Sequence, residues 1–237
     1  RLLAAGSGPI YQIARVFRAE EQGRHHNPEF SLLEWYRPGL NHHQLMDEVA
    51  ALLTALGVAG APFPRVGYHE AFRRFADLDP DAAPLARLRD LPQAAAFGDT
   101  DDRDLLLDLW MSHIVGPQLG RSTPCFLLDF PASQAALARV ENDRAQRFEL
   151  FWNGLELANG FHELTDAAEQ QRRFAADQAW RAQQGRAVPP YDPHLIAALA
   201  HGLPDCAGVA IGLDRLLMCL NGCSSLAETL TFPADRA

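Results

Sequence analysis

Phe17-Arg18-Ala19-Glu20, followed by a polar loop and then His26-Asn27-Pro28-Glu29-Phe30-Ser31-Leu32-Leu33-Glu34, is the stretch on which the reading of this chain turns. Ile10 to Arg18 is rich in β-branched and aromatic residues and reads as a strand. Glu20 to Pro28 reads as a polar turn, and Phe30 to Tyr36 alternates well enough for a second strand. The two form a hairpin with a long connecting loop. On an extended Phe30–Tyr36 segment, Phe30, Leu32, Glu34 and Tyr36 share one face. Burying a polar group without a partner costs roughly 2–7 kcal/mol, and a charge costs more. Either a cationic ligand offsets that cost at Glu34 or the face is open to solvent.

A second stretch near the C-terminus, Gly208-Val209-Ala210-Ile211-Gly212-Leu213-Asp214-Arg215, reads as a strand from Cys206 to Gly212 feeding directly into a helix. Gly208 and Gly212 remove side chains where a backbone can pass close to a ligand. Arg215 falls in the first turn of the helix, where the positive end and a guanidinium together suit a phosphate. It is not a Walker loop, because the Gly-Lys-Ser/Thr ending is absent. Each stretch thus offers an arginine where a phosphate could sit. The first adds an aromatic, Phe30, that could stack on a base.

Between them, Arg147 to Trp152, Asn153-Gly154 and Leu155 onward signal a hairpin, since Asn-Gly favours a two-residue type I′ turn. That turn pairs Phe151 with Glu156 and Glu149 with Ala158. Glu149 and Glu156 then lie on one face as diagonal neighbours, roughly 7–8 Å apart. Like charges this close call for a cation. The candidates are magnesium, which accepts carboxylates together with nucleotide phosphates, or an arginine such as Arg147 or Arg144. Asn159, Phe161 and Glu163 follow, with Gly160 permitting close approach of a ligand.

The rest of the chain reads as scaffold. Asn41 caps a helix through Leu56 with Leu45, Val49, Leu52, Leu53 and Leu56 on one stripe, ended by Gly57. His69 to Phe75 is a short helix. Thr100 caps another from Asp101 to Val115, and residues 67–120 read as a largely helical insertion. Cys125 to Phe130 is a strand, and Asp166 to Gln184 is a polar helix stopped by Gly185. Strands joined mainly by hairpins, with helices between some of them, predict an α+β fold: an antiparallel sheet flanked by helices.

The 237 residues suffice for one substantial domain. No run of roughly 18 apolar residues predicts a membrane span. The net charge of −9, with 21 arginines and no lysine, argues against nucleic acid as the main partner. Cys125, Cys206, Cys219 and Cys223 lack zinc spacing, which predicts thiols in a reducing cytoplasm.

Together these motifs resemble the catalytic core of the class II aminoacyl-tRNA synthetases of lysyl type. Phe17 through Glu34 is similar to that class's second signature motif. Gly208 through Arg215 is similar to the third, with Asp214 where the class has Glu. Phe148 through Leu164 resembles the lysine pocket. The closer resemblance is to the shortened family of elongation factor P–(R)-β-lysine ligases. It is carried by Gly23-Arg24-His25-His26-Asn27-Pro28-Glu29-Phe30 running into Leu33-Glu34-Trp35-Tyr36-Arg37-Pro38, by Phe130-Pro131-Ala132-Ser133-Gln134-Ala135, and by Ala210 where the tRNA enzymes carry Gly.

The resemblance implies one class II synthetase-like catalytic domain over 1–237 that uses ATP and Mg2+. It implies activation of lysine or β-lysine as an adenylate and its transfer to a lysine of elongation factor P. Arg18 and Arg215 would hold the ATP phosphates, with Phe30 stacking on adenine. Glu20, His26, Asn27 and Gly212 would orient the nucleotide, and Glu149 and Glu156 would hold magnesium. Glu34, Tyr36, Asn159 and Glu163 would recognise the substrate over Ala210. A homodimer is implied and tRNA is not. The class's first motif would lie upstream of Arg1. Two alternatives stand beside this reading: the core of a true lysyl-tRNA synthetase, and a non-catalytic synthetase-like binding module.

Overall fold

The hairpin carrying the first motif forms one end of an eight-stranded sheet in the computed structural model, which describes residues 1–19, 22–234 and 236. Strand β1 (Ile10–Phe17) pairs antiparallel with β2 (Glu29–Pro38). Helix α1 (His42–Ala55) follows, capped by a reciprocal Asn41–Gln44 box. A short β3 (Arg65–Gly67) leads into a helical stretch: α2 (Tyr68–Ala76), α3 (Leu85–Leu88), a 3-10 turn, and α4 (Arg103–Trp110), which runs on through a π turn at Met111–Val115. Then come β4 (Cys125–Pro131), β5 (Val140–Glu141), β6 (Arg144–Trp152) and β7 (Leu155–His162). Helices α5 (Ala167–Gln183) and α6 (Pro193–Gly202) precede β8 (Cys206–Gly212) and α7 (Leu213–Asn221). Among the described residues no helix is long and apolar enough to cross a membrane.

The strand order is β1-β2-β8-β7-β6-β4-β3, with β5 paired to β6. All pairings are antiparallel except the short β3 with β4, which is parallel and makes the expected antiparallel sheet a mixed one. One face packs on α1 and α7 through Leu45, Val49, Leu53, Phe126, Phe148, Leu150, Val209, Ile211 and Leu216. On the other face, the helices between β3 and β4 bury Tyr68, Phe72, Leu106, Trp110, Leu127 and Phe151. That helical layer covers the β3–β4–β6 side of the sheet. The floor formed by β2, β8 and β7 lies beyond it, and there the site opens.

Several expectations need correction. The cap of α4 is Asp102, which accepts from Leu105 N at 3.0 Å; Thr100 instead bonds Asp102 N. Leu56 does not join the buried stripe of α1 and is 46% exposed, because it is the residue that ends the helix. Two bulges were not foreseen. At Asp129 (φ 61°) the register between β4 and β6 shifts, which turns Phe130 to the same face as Leu127. In β7, Leu157 is the extra residue, so Glu149 pairs with Asn159 rather than Ala158. Because one residue is added between Glu156 and Ala158, Glu156 and Asn159 share the face of Glu149.

Candidate active site

Arg18, His26, Asn27, Phe30, Glu156, Asn159, Ala210, Gly212 and Arg215 line a single cleft, together with His25, Phe161, Asp214 and Leu226. Its floor follows from register. Leu32 pairs with Gly212, Glu34 with Ala210 and Tyr36 with Gly208; Ala210 in turn pairs with Asn159, and Asn159 with Glu149. The pleat therefore places Glu34, Ala210, Asn159 and Glu149 in one row, all on the open face. Glu20 lies outside the described residues.

At the first motif, the Arg18 guanidinium sits 5.5 Å from the Phe30 ring centroid. Asn27 spends its amide on the loop itself: Nδ2 donates to Glu29 O at 2.6 Å and Oδ1 accepts from Ala234 N at 3.0 Å. Arg215 donates to His25 O at 3.1 Å and to Glu156 O at 2.9 Å, so it bridges the loop before β2 and the start of β7. Asp214 accepts from Ser31 N at 2.6 Å and ties α7 to β2. Burial and the nearby Arg24 and Arg215 hold the His25 pKa below its usual value.

The glycines divide into two kinds. A Cβ on Gly208 would lie 2.4 Å from the Tyr36 ring and 2.5 Å from a Glu163 oxygen, and one on Gly160 would lie 2.4 Å from Phe148. These two are required by the protein's own packing, which corrects their reading as sites of ligand approach. Gly160 in fact faces the α1 side of the sheet. A Cβ on Gly212 would meet only Leu157 O at 3.8 Å and Arg215 Cβ at 4.0 Å, and its φ of −72° suits any residue. The fold does not demand glycine there, and the position is open toward the cleft.

Tyr36 and Glu163 lie one row beyond Ala210, over Gly208, and line an adjoining cavity with Gln170 and the leucines of α6. Burial pushes the Glu163 carboxyl up to about 8. Burial and the Glu163 and Glu34 carboxylates hold the Tyr36 hydroxyl far above its usual range. Among the described residues no cation is paired with this half-buried acid.

Glu149 is 6% exposed and paired to Arg147, which also bonds Asn159 and Gln134 O and lies 4.2 Å from the Phe130 ring centroid. Burial first, then the Glu156 charge, raises the Glu149 pKa, while Arg147 opposes them. Among the described residues no group of three or more His, Cys, Asp and Glu is placed for a metal. Magnesium is commonly bound through one or two carboxylates plus substrate phosphates rather than by an all-protein cage; Glu156 lines the cleft and could serve, whereas Glu149 lies buried beside it and outside the cleft lining. One Glu149 oxygen is already committed to Arg147. The sequence reading quoted His25 and Asp214 within motifs without giving them a site role and did not single out Leu226 or Gln170; their placement depends on backbone contacts or burial made only by the folded chain.

The cleft thus holds two arginines and an aromatic ring, and a second cavity one row further along the same sheet face holds Glu163, a half-buried acid with no cationic partner among the described residues. Proteins named elongation factor P–(R)-β-lysine ligase from Salmonella dublin, Salmonella paratyphi B (strain ATCC BAA-1250 / SPB7) and Salmonella heidelberg (strain SL476) are each 49% identical to the chain over 247 aligned residues, covering 100% of it and 75% of theirs. Residues 1–236 match the family described as tRNA synthetases class II (D, K and N), and the chain belongs to that family.

Proposed function

We propose that the chain is an ATP-dependent ligase that activates (R)-β-lysine, or lysine, as an aminoacyl-adenylate and transfers it to a lysine side chain of elongation factor P. The observation that carries this reading is the convergence of Arg18 and Arg215, 197 residues apart in the chain, on one cleft, with Glu163 in a cavity one row further along the same sheet face. The names of the relatives favour a protein acceptor over tRNA.

Arg18 and Arg215 bind the nucleotide phosphates, Phe30 stacks on the base, and the missing Cβ of Gly212 admits the ribose side. Glu163 and Tyr36 take the substrate's distal ammonium, while Glu34 takes the nearer amine across Ala210. The substrate carboxylate then attacks the α-phosphorus in line and pyrophosphate departs. Next, the acceptor amine attacks the acyl carbon, AMP leaves, and the amine proton passes to solvent. No side-chain nucleophile is needed; catalysis is positioning plus charge stabilisation. Glu156 and the remaining Glu149 oxygen would hold magnesium, which neutralises phosphate charge when bound. A homodimer belongs to the same reading: Tyr11, Ile13 and Phe17 project from the outermost strand, 78%, 63% and 75% exposed.

The test is to incubate full-length protein with ATP, labelled lysine or (R)-β-lysine, and either elongation factor P or lysine tRNA. Label on the protein acceptor is expected. Label on tRNA alone overturns the acceptor assignment, and no ATP–pyrophosphate exchange with either amino acid overturns the reading as a whole.

A further inference from the structure

Arg147 has its guanidinium committed on every side. Nε donates to Asn159 Oδ1 at 3.3 Å, Nη1 donates to Gln134 O at 2.8 Å, Nη2 donates to the Glu149 carboxylate, and the flat face lies against Phe130. Arginine offers donors only, so the Asn159 atom that faces it must be the oxygen. An asparagine amide is otherwise ambiguous between its two ends; this contact settles it. The Asn159 Nδ2 group therefore points away from Arg147. Asn159 lines the cleft, and no described residue accepts a hydrogen bond from Nδ2.

Register says what that donor meets. Asn159 pairs with Ala210 on one side and Glu149 on the other. Along the strands its row lies between the row of Gly212, next to Arg215, and the row of Gly208, overlaid by Tyr36 and Glu163. A substrate with its ammonium at Glu163 and a nucleotide at Arg215 has its carboxyl carbon over the middle row. A donor there meets oxygen, not ammonium.

We propose that Arg147 is a positioning residue that locks Asn159 as a hydrogen-bond donor to the substrate's carboxyl oxygen, the one that stays on carbon as a carbonyl after adenylation. This rests on the ligase reading given above. In adenylation one carboxylate oxygen forms the bond to the α-phosphorus as the bond to pyrophosphate breaks, and Nδ2 holds the other. In transfer the acceptor amine bonds to the acyl carbon, the C–O bond to AMP breaks, and negative charge passes through the oxygen on Nδ2. A donor fixed in advance stabilises that charge without reorganisation. The bulge at Asp129 serves the same end, because it turns Phe130 under the Arg147 plane.

The experiment measures ATP–pyrophosphate exchange and single-turnover transfer for full-length wild type, Asn159→Asp, Arg147→Lys and Arg147→Met. Asn159→Asp keeps the shape and the bond to Arg147 but removes the donor. Its kcat is expected to fall about 100-fold in both steps, with KM for ATP and amino acid changed only a few-fold. Arg147→Lys should fall between it and wild type. Arg147→Lys added to Asn159→Asp should lower kcat no further, since Lys keeps a cation beside Glu149 and both changes then act through one amide. If Arg147→Met does not fold, the Asp and Lys variants still decide. A kcat for Asn159→Asp within threefold of wild type overturns the proposal, as does a loss confined to KM. Wild type inactive with every lysine-type acid overturns the ligase reading itself, and this inference falls with it.

Discussion

Replacing Glu163 with Gln removes one proton-binding site from the cavity beside the cleft while keeping its shape. In the folded protein burial holds this carboxyl at about 8, against an ordinary 4.5. Between those values the native state carries a proton that the unfolded chain has released. Raising the pH therefore favours unfolding; the stability associated with the protonated group is full at low pH and lost as pH climbs to 8. Each pH unit in that window is worth at most about 1.36 kcal/mol, so from about pH 6 to pH 8.5 the group accounts for a loss of about 2.5 kcal/mol. The side chain lines an open cavity and the residue is only partly buried, which reduces this to roughly 1–2 kcal/mol. Glu163→Gln should thus lose less stability than wild type between those two pH values, by that amount. Urea unfolding of both proteins at each pH reads the difference directly, because other titrating groups cancel. Parallel losses in the two proteins would refute the account. A second arm adds lysine at the higher pH: it should stabilise wild type, by pairing the Glu163 charge, clearly more than it stabilises Glu163→Gln.

Arg215→Ala should abolish pyrophosphate exchange, by at least about 100-fold, while circular dichroism and the thermal midpoint stay close to wild type; unchanged exchange removes Arg215 from the mechanism. In Gly208→Ala the new methyl drives against Tyr36 and Glu163 and should cost about 1–3 kcal/mol in denaturant unfolding. Amino acid KM should rise with no matching rise for ATP. Asp102→Ala loses the α4 cap and strands the Trp180 Nε1 donor held at 2.8 Å, for about 2–4 kcal/mol in all. Asp102→Asn, which can still cap, should recover about 1 kcal/mol of it.

The chain announces its hairpins and its capped helices plainly. Asn153-Gly154 adopts the positive φ angles, 53° and 77°, that its type I′ turn needs. Asn41 and Asp166 cap the helices they precede in sequence. Local chemistry is enough for such features. The row Glu34–Ala210–Asn159–Glu149 was only half legible. Alternation gives each strand's face, but the neighbours across the sheet depend on strand order, and Leu157 adds a residue that no periodicity flags. The pairing of Glu149 with Arg147 was one of two open readings, because residues two apart on a strand share a face with or without a cation between the carboxylates. Helix α6 escaped notice since its short, Ala-rich stretch follows a Pro-rich turn. The roles of Gly208 and Gly160 were misread for a related reason: an empty Cβ position looks the same in sequence whether a ligand or a neighbouring ring fills it.

The loop between the first two strands is stitched to the far end of the chain. Arg24 Nε donates to Ser224 O at 2.7 Å, Leu226 N to Arg24 O at 2.9 Å, and Ala234 N to Asn27 Oδ1 at 3.0 Å. That wall of the cleft is consequently a composite of residues 24–27 and 224–234, segments far apart in the chain. During synthesis the sheet can assemble while that wall is still unsupported. Deleting residues 226–234 should therefore erode ATP affinity well before it melts the strands.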